Sequence, residues 1–338
     1  PFHNEKTPSF SVSPDKQIYH CFGCGAGGNV INFIMEHERL DFLSSIKLLA
    51  DRANIHIETD PGEPRKKDDR ASIYNMHEIA ARVFERQIND ANAKSAKDYL
   101  LNRGLSEETL KTFRVGFAPD SWDTVTLEVM KLGLSQDVLT RSGLLMPKNE
   151  GGYYDRFRNR IMFPIMDING KVQAFGGRIF GEADGAKYMN SPETPIYHKG
   201  RTLFGLNISR DEIRSSRTAI LVEGYMDLIR LYQEGFQNVV AGTGTAFTSE
   251  QAGLVKRFAD KVLVCYDGDA AGQKAAQKAG LTLLDKGLDV RIIQIPEGED
   301  PDSFFDEKDA KAFQKLIGTA LDFMTFVLRA NQDQMDSP

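Results

Sequence analysis

Runs of apolar residues alternate with amphipathic stretches through the second half of the chain. The apolar runs predict buried strands at residues 218–222, 238–241, 261–266 and 289–295. Helical spacing between these runs predicts helices at residues 225–234, 249–258 and 270–286. Apolar strands that alternate with helices predict a Rossmann-like parallel sheet, covered on both faces and joined by right-handed crossovers.

The other segments have different patterns. Residues 1–58 begin with two short extended stretches, at 9–13 and 17–20, followed by a glycine-rich turn and helices from Val30 onward. Residues 71–145 are mainly helical in pattern, whereas 153–180 switch to short strands. These strands are predicted at 160–165 and 172–175, with Gly176-Gly177-Arg178 at the end of the second.

The chain is therefore predicted to be multidomain, combining α+β and α/β parts. Residues 59–70 are rich in Pro, Gly and charge and contain no apolar side chain, which is typical of an exposed linker. Around it we predict a small ribbon, a mixed α/β subdomain, a parallel-sheet subdomain and the start of a helical subdomain. Their predicted bounds are residues 1–58, 71–215, 216–300 and 301–338.

The composition narrows the class of protein. The chain has 338 residues, of which 41% are hydrophobic and 27% charged, as in an ordinary globular protein. Three cysteines are too few for a secreted disulfide scaffold, and the absence of an 18-residue apolar run argues against a membrane partner. The sequence starts at Pro1 within a motif and without Met, so we interpret it as a fragment.

The net charge of −6 hides a gradient along the chain. Residues 151–210 contain nine basic and five acidic side chains, whereas residues 221–310 contain nine basic and sixteen acidic ones. A basic segment followed by an acidic one suits a groove for a polyanion beside a divalent-metal site. Ordinary variation of surface charge explains the same gradient equally well.

Cys21 and Cys24 form a C-x-x-C pair in a glycine-rich turn, with His3 upstream. Two thiolates and an imidazole predict a structural Zn²⁺ site, although such a site takes four ligands. His20 is a poor fourth ligand because strand neighbours point to opposite faces, and a cysteine before Pro1 would complete the set. The alternatives are a redox pair or two buried thiols.

Five carboxylates follow predicted strands. Glu223 follows the first strand, Asp267 and Asp269 follow the third, and Asp300 and Asp302 follow the fourth after a short loop. Because ligands bind outside the carboxyl ends of parallel strands, these acids are expected at one edge, where Mg²⁺ or Mn²⁺ would neutralise them. The alternatives are solvated or helix-capping acids, or an Asp-x-Asp phosphatase, whose pair would follow the first strand.

Two weaker signals accompany the carboxylates. The turn Gly242-Thr243-Gly244-Thr245 follows the second strand and either cradles a phosphate or only precedes the next helix. Trp122 either stacks a nucleic-acid base or, as we favour, packs in the core.

Three groups of motifs together resemble one family. Residues 221–227, LVEGYMD, with 266–272, YDGDAAG, resemble a Toprim domain. Residues 1–10, PFHNEKTPSF, with the later CFGCG, resemble the zinc ribbon of bacterial DnaG-type primases. Residues 154–160, YDRFRNR, and 187–194, KYMNSPET, resemble the basic half of the primase RNA polymerase domain.

The resemblance implies site residues and partners. It implies that Glu223, Asp267, Asp269, Asp300 and Asp302 bind metal, with the first three catalytic. It also implies that template and nucleotide phosphates are bound by a set of mostly basic residues: Arg103, Arg158, Arg160, Arg178, Lys187, Tyr188 and Lys199. A solvated basic face is the alternative for each of these cations.

The implied activity is DNA-dependent synthesis of short RNA primers from ribonucleoside triphosphates on single-stranded DNA, in the bacterial cytoplasm at the nucleoid-associated replication fork. A 3′-hydroxyl would attack an α-phosphorus while metal ions stabilise the developing charge. Glu223 would ligate a metal or accept the hydroxyl proton. The replicative helicase is expected to bind a C-terminal domain outside this chain.

Two other function classes remain open at this stage. A Toprim hydrolase or strand-passage enzyme would use the same acids to cut a phosphodiester, without added nucleotides. A non-catalytic nucleic-acid-binding module would keep its DNA binding when the metal is removed, although five acids at one edge argue against it.

Overall fold

The structure divides the chain into two units, Pro1–Lys67 and Asp68–Pro338. It is a computed structural model that describes residues 1–3, 5, 7–38, 40, 42–53, 55, 69–181, 185–244 and 246–335. Ten residues of the predicted linker, 59–68, lie outside the described residues, and so do Thr245 and residues 336–338.

The first unit is a small antiparallel sheet followed by two helices. Its strands are β1 (Phe10–Ser13), β2 (Ile18–Cys21) and β3 (Gly27–Asn29), and its helices are α1 (Val30–His37) and α2 (Phe42–Arg52). Four aromatic rings, those of Phe2, Phe10, Tyr19 and Phe33, lie 5.3–6.0 Å apart. The Asn29 side chain accepts hydrogen bonds from two backbone amides of the first turn of α1 and so fixes where that helix begins.

The second unit contains twelve helices and eleven strands among its described residues. The helices are α3 (Asp69–Gln87), α4 (Lys94–Asn102), α5 (Glu107–Thr112), α6 (Thr124–Met130), α7 (Gln136–Arg141), α8 (Leu206–Ser216), α9 (Tyr225–Gln233), α10 (Ser249–Lys256), α11 (Ala270–Asp285), α12 (Phe304–Glu307), α13 (Ala310–Gly318) and α14 (Phe323–Met335). The strands are β4 (Gly116–Ala118), β5 (Leu145–Pro147), β6 (Tyr153–Asp155), β7 (Arg160–Met166), β8 (Val172–Ile179), β9 (Tyr188–Asn190), β10 (Thr218–Val222), β11 (Val239–Ala241), β12 (Lys261–Val264), β13 (Asp289–Ile292) and β14 (Leu321–Asp322). Short 3₁₀ turns occupy Ala91–Ala93 and Lys199–Arg201.

The predicted parallel sheet is confirmed. Its strands follow the order β11-β10-β12-β13-β14, and the first four are parallel. The side chains of β10 from Ala219 to Val222 are buried, as expected for a strand covered on both faces. The predicted fold class, a small ribbon with mixed α/β and parallel-sheet parts, is therefore correct.

The edge strand β14 was not predicted. We expected only helices in residues 303–338, but Leu321 and Asp322 pair antiparallel with the end of β13 before α14 begins. Two residues are too few to produce a period-two pattern, so this strand leaves no signal in the sequence.

A second sheet, β4-β7-β8-β9, is antiparallel. Our placement of Gly176-Gly177-Arg178 at the end of a strand was wrong, because β8 continues to Ile179. Gly176 pairs with Phe163 in β7, and a Cβ at Gly176 would overlap the ring of Tyr225. The glycines therefore let an aromatic ring lie directly on the strand, rather than ending it.

The two sheets share a hydrophobic core. One cluster of buried side chains includes Leu100 and Phe117, Ile161 from β7, and Ile220 and Leu228 from the parallel-sheet part. The parallel-sheet part and the segment before it therefore pack as one continuous body, consistent with their assignment to a single unit.

Trp122 is not in this core. Its side chain is 58% exposed, and its ring lies 5.4 Å from that of Tyr154. Our preference for a core position was wrong, because this aromatic residue lies beside a loop and packs on another surface ring.

Within the described ranges, no helix combines the length and apolar character needed to cross a membrane.

Candidate active site

The carboxyl ends of the parallel strands hold the predicted acids. Glu223 directly follows β10, Asp267 and Asp269 lie between β12 and α11, and Asp300 and Asp302 lie in the loop between β13 and α12. The strands are in register side by side, so their ends meet at one edge of the sheet. We call this group the acidic edge.

The charges of the acidic edge act on one another. Burial, followed by the negative charges of Asp267 and Asp269, raises the pKa of Glu223 to about 7. Burial, with the charges of Asp300 and Asp269, also raises the pKa of Asp267, and Lys187 opposes that shift. Carboxylates that are buried together in this way are stabilised by a bound cation. Their oxygen donors fit a hard divalent ion.

The acids are spread along the edge rather than gathered at one point. Among the described residues, the one group of three or more His, Cys, Asp or Glu whose ligand atoms lie within 4.8 Å of one another is His3, Cys21 and Cys24. The acidic edge therefore offers several oxygens around an open space and not a closed protein cage. Such a site leaves coordination positions for water and phosphate oxygens.

Asp269 and Asp300 also have local structural roles. Asp269 caps α11 by accepting a hydrogen bond of 2.7 Å from the Gly272 amide, and Asp300 accepts one of 2.6 Å from the Ser303 amide. The helix-capping interpretation is thus correct for Asp269, but the bond uses one of its two carboxylate oxygens. Capping fixes the side chain at the edge and is compatible with a ligand role.

Asp302 differs from the other predicted acids. It is 2% exposed and forms an ion pair with Arg103. Burial raises the pKa of Asp302 to about 6, and Arg103 opposes this shift. Arg103 also donates a hydrogen bond of 2.9 Å to the Tyr99 hydroxyl. The structure therefore gives Asp302 a basic partner that spacing along the chain did not reveal.

Asp227 is an acid that we did not single out. It lies in the first turn of α9, its side chain is buried, and it accepts a 2.9 Å hydrogen bond from the Gly224 amide. Burial and the charges of Asp300, Asp267 and Asp302 raise its pKa well above the ordinary value. The sequence signal that could have identified Asp227 is its position four residues after Glu223. This spacing places it one helical turn beyond the end of the strand.

Basic and aromatic residues lie beside the acidic edge. The Arg178 guanidinium lies 4.8 Å from the centre of the Tyr99 ring, and Arg103 contacts the same residue. Burial raises the pKa of Tyr188 to about 12, while the positive charges of Arg178 and Arg103 oppose this shift. The positive charge of Lys187 opposes the rise in the pKa of Asp267, so this side chain also faces the acidic edge. We call the group of Arg103, Arg178, Lys187, Tyr99 and Tyr188 the basic wall.

The other predicted basic residues have separate contacts. Arg158 lies 3.9 Å from the centre of the Trp122 ring. Arg160 is buried and donates hydrogen bonds of 3.1 Å to the carbonyls of Gly177 and Ala186. The carbonyl of Lys199 accepts a 3.1 Å hydrogen bond from Gln251. The contacts of Arg160 hold β7, β8 and the following loop together, which is a structural role.

His3, Cys21 and Cys24 come together in the first unit. His3 Nδ1 lies 3.6 Å from Cys21 Sγ, while its Nε2 donates to a Glu5 carboxylate oxygen at 3.0 Å. Hydrogen bonds from Ser9 and from the amides of Cys24 and Gly23 lower the pKa of Cys21 to about 7, which favours the thiolate. One imidazole and two sulfurs fit zinc, and Glu5 orients the imidazole.

Comparison with protein families supports these assignments of fold. Residues 1–65 match a CHC2 zinc finger, residues 83–210 match the N-terminal domain of the DNA primase catalytic core, and residues 220–305 match a Toprim-like domain. The first match implies zinc in the first unit, and the third implies that the parallel-sheet part binds a divalent metal.

Relatives with these domains are similar along the chain. DNA primase of Listeria innocua is 44% identical over 325 residues, which cover 94% of this chain and 52% of that protein. The crystal structure of the zinc-binding and RNA polymerase domains of Aquifex aeolicus primase is 34% identical, with a TM-score of 0.73, over 99% of this chain and 81% of that one. This chain belongs to the DnaG-type DNA primase family.

Other members of the family extend the comparison. DNA primase of Clostridium acetobutylicum is 45% identical over 96% of this chain and 54% of that protein. A structure described as the DnaG primase catalytic domain bound to ssDNA is 37% identical, with a TM-score of 0.71, over 79% of this chain and 84% of that one. The chain spans about half the length of the curated family members that it matches.

Proposed function

We propose that this chain synthesises short RNA primers from ribonucleoside triphosphates on a single-stranded DNA template. The observation that carries the proposal is the juxtaposition of the acidic edge with the basic wall within one compact unit. A metal site beside phosphate-binding cations is the arrangement that nucleotidyl transfer needs. The family's solved catalytic domain bound to ssDNA supports a single-stranded template.

Within the acidic edge we assign the metal-binding role to Glu223, Asp267, Asp269 and Asp300, with Mg²⁺ or Mn²⁺ as the ion. When bound, such an ion makes a hydroxyl easier to deprotonate and stabilises negative charge on phosphate oxygens. The carboxylates of Asp269 and Asp300 hold their positions before any ligand binds, because backbone amides donate hydrogen bonds to them.

The basic wall would hold the nucleotides. Lys187 and Arg178 would pair with phosphate oxygens, and Tyr188, which is 37% exposed, presents a ring on which a base could stack. We propose that Asp302 acts by holding Arg103 in place, since it is buried and paired with that side chain. In the first unit, His3, Cys21 and Cys24 would hold zinc as a structural ion. Helicase recruitment stays a prediction.

The test is a priming assay with single-stranded DNA, labelled ribonucleotides and Mg²⁺. We expect short RNA products that require the template and are lost when Asp267→Asn removes one charge from the acidic edge. A matched control is Asp285→Asn at the far end of α11, where the exposed carboxylate has no contact with the edge. That variant should retain the activity of the parent chain.

The outcomes separate the function classes. Cleavage of DNA without nucleotides, lost in Asp267→Asn, would replace the primase proposal with a Toprim hydrolase. DNA binding with no metal-dependent reaction of either kind would instead indicate a nucleic-acid-binding module.

A further inference from the structure

A groove lined in part by Glu223 opens beside the acidic edge, and its other lining residues have no role in the proposed chemistry. It has a volume of about 590 Å³ and runs between the loop after β11 and the first half of α11. Its lining includes Glu223, Gly242 and Gly244 from the loop, and Lys274 and Lys278 from the helix. The groove is therefore continuous with the catalytic carboxylates.

The two lysines are placed to bind a ligand. They lie one turn apart on α11, which brings their side chains to the same face about 5–6 Å apart at Cβ. Both residues are exposed, and neither amine has an ion pair or hydrogen bond within the part of the chain that the structure describes. Their charges are not used to stabilise the fold and stay available to an anion.

The cationic path continues past the groove. Lys274 also borders a second depression of about 350 Å³ between α11 and α14, whose lining includes Gln273, Gln277 and the exposed Arg329. These two amide side chains and a third cation make the binding surface longer than a single phosphate group would need. An extended line of positive charge suits a strand with repeated phosphates better than a single free nucleotide.

We propose that Lys278, Lys274 and Arg329 form a binding track for the phosphates of the RNA primer strand as it leaves the acidic edge. The inference rests on the proposed function. Phosphates joined at the acidic edge are repelled by its carboxylates, so a leaving strand needs cations immediately beyond them. In the basic wall, Arg103 is paired with Asp302 and Lys187 acts on Asp267, whereas the amines of Lys274 and Lys278 have no such partner among the described residues and lie in the groove that Glu223 lines.

The test measures binding without nucleotides, so that no synthesis is needed. A labelled RNA–DNA hybrid and the same DNA as a single strand are titrated with the parent chain and with Lys274→Ala/Lys278→Ala. The double variant should bind the hybrid about tenfold more weakly, and its salt slope should fall by about 2, since each lost phosphate contact contributes about 0.9. Its affinity for single-stranded DNA should not change.

The matched control is Lys286→Ala/Lys315→Ala, which removes the same charge from surfaces away from the groove. It should bind the hybrid as the parent chain does, and all variants should unfold at the same temperature. An equal loss of single-stranded DNA affinity would overturn the assignment to the primer strand, as would unchanged hybrid binding. In a separate titration with free ribonucleoside triphosphate, a loss of affinity confined to that ligand would make the groove a nucleotide site and also overturn the assignment.

The priming assay is read independently of these affinities. A chain that makes no RNA but loses hybrid binding in the double variant would refute the proposed function and leave the three cations only as a binding site for the hybrid. A chain that makes RNA normally but shows no change in hybrid binding would refute the track alone.

Discussion

The side chain of His77 connects folding to protonation. It is buried within α3, its Nδ1 lies 2.9 Å from the Ile73 carbonyl, and its ring stacks 5.8 Å from that of Phe175. Burial lowers the pKa of His77 to about 4. The folded chain therefore holds a neutral imidazole that the unfolded chain protonates near its ordinary pKa of about 6.5.

We predict that the free energy of unfolding decreases as the pH falls because the unfolded chain binds a proton at His77. The contribution of neutral His77 to the free energy of unfolding is complete above its pKa in the unfolded chain, about 6.5. It is lost as the pH falls toward its pKa in the folded chain, about 4, because only the unfolded chain binds the proton between these values. The loss amounts to about 3 kcal/mol between pH 7 and pH 4. Denaturant unfolding of the parent chain and of His77→Phe across this range measures it as a difference in slope. Parallel curves would contradict the prediction.

In the first unit, the side chain of Glu5 orients the imidazole of His3. Its carboxylate accepts a hydrogen bond from His3 Nε2, which leaves Nδ1 facing Cys21. We predict that Glu5→Ala lowers zinc affinity by about 10- to 100-fold, as loss of such a partner does at metal sites. Competition with a chromogenic chelator measures the affinity. Glu36→Ala is the control, because Glu36 binds the Tyr19 hydroxyl and none of the three ligands; equal affinities for both variants would refute the role of Glu5.

Among the elements, β8 shows how a strand accommodates a neighbouring helix. The Tyr225 ring, from the start of α9, stacks 5.4 Å from Phe163 and donates its hydroxyl to Asn190 at 2.8 Å. It thereby lies across Gly176, where a side chain has no room. Glycine weakens a strand by itself, but here it allows the first residue of α9 to pack directly on β8.

We predict that Gly176→Ala destabilises the chain by about 1–3 kcal/mol, because its methyl group overlaps the Tyr225 ring and either the ring or β8 must shift. Gly253→Ala is the matched control. Gly253 lies inside α10 with open space at its Cβ, so alanine there should stabilise the helix by about 0.5–1 kcal/mol. Free energies of unfolding measure both changes, and two changes of the same sign would contradict the packing argument.

At the scale of the whole second unit, Arg230 joins three parts of the fold. This buried side chain of α9 donates to the carbonyl of Arg103 at 2.9 Å and to that of Phe305 at 2.8 Å. The side chain of Arg103 is itself held by Asp302 and Tyr99. Arg230 therefore fixes the backbone of Arg103, and with it the position from which the Arg103 side chain reaches the basic wall.

We predict that Arg230→Met lowers the free energy of unfolding by about 3 kcal/mol or more, because one buried carbonyl and one partly buried carbonyl lose a charged donor. In the priming assay it should also raise the KM for nucleotides, since Arg103 loses its fixed position. Arg82→Ala, which breaks an exposed pair with Glu78, should cost under about 0.5 kcal/mol and leave KM unchanged. A stability loss with unchanged KM would limit Arg230 to a structural role.

Much of the architecture was predictable from the sequence. The apolar runs predicted all four parallel strands, and the ends of three of them, β10, β12 and β13, predicted the place of the carboxylates, because burial and chain direction are local properties of the pattern. The C-x-x-C spacing and His3 predicted the three residues that meet in the first unit. Short elements such as β9 and β14 were missed, since two or three residues do not produce a period.

Partnership between distant polar residues was decided only by the tertiary structure. The sequence assigned Asp302 to metal and left Asp227 unnoticed, whereas packing buries both and pairs the first with Arg103. It also left Lys274 and Lys278 without a role until the fold placed them beside Glu223. Hydrophobic periodicity determines which face of an element is buried. Which charge meets which depends on how separate elements pack, and no local pattern encodes that.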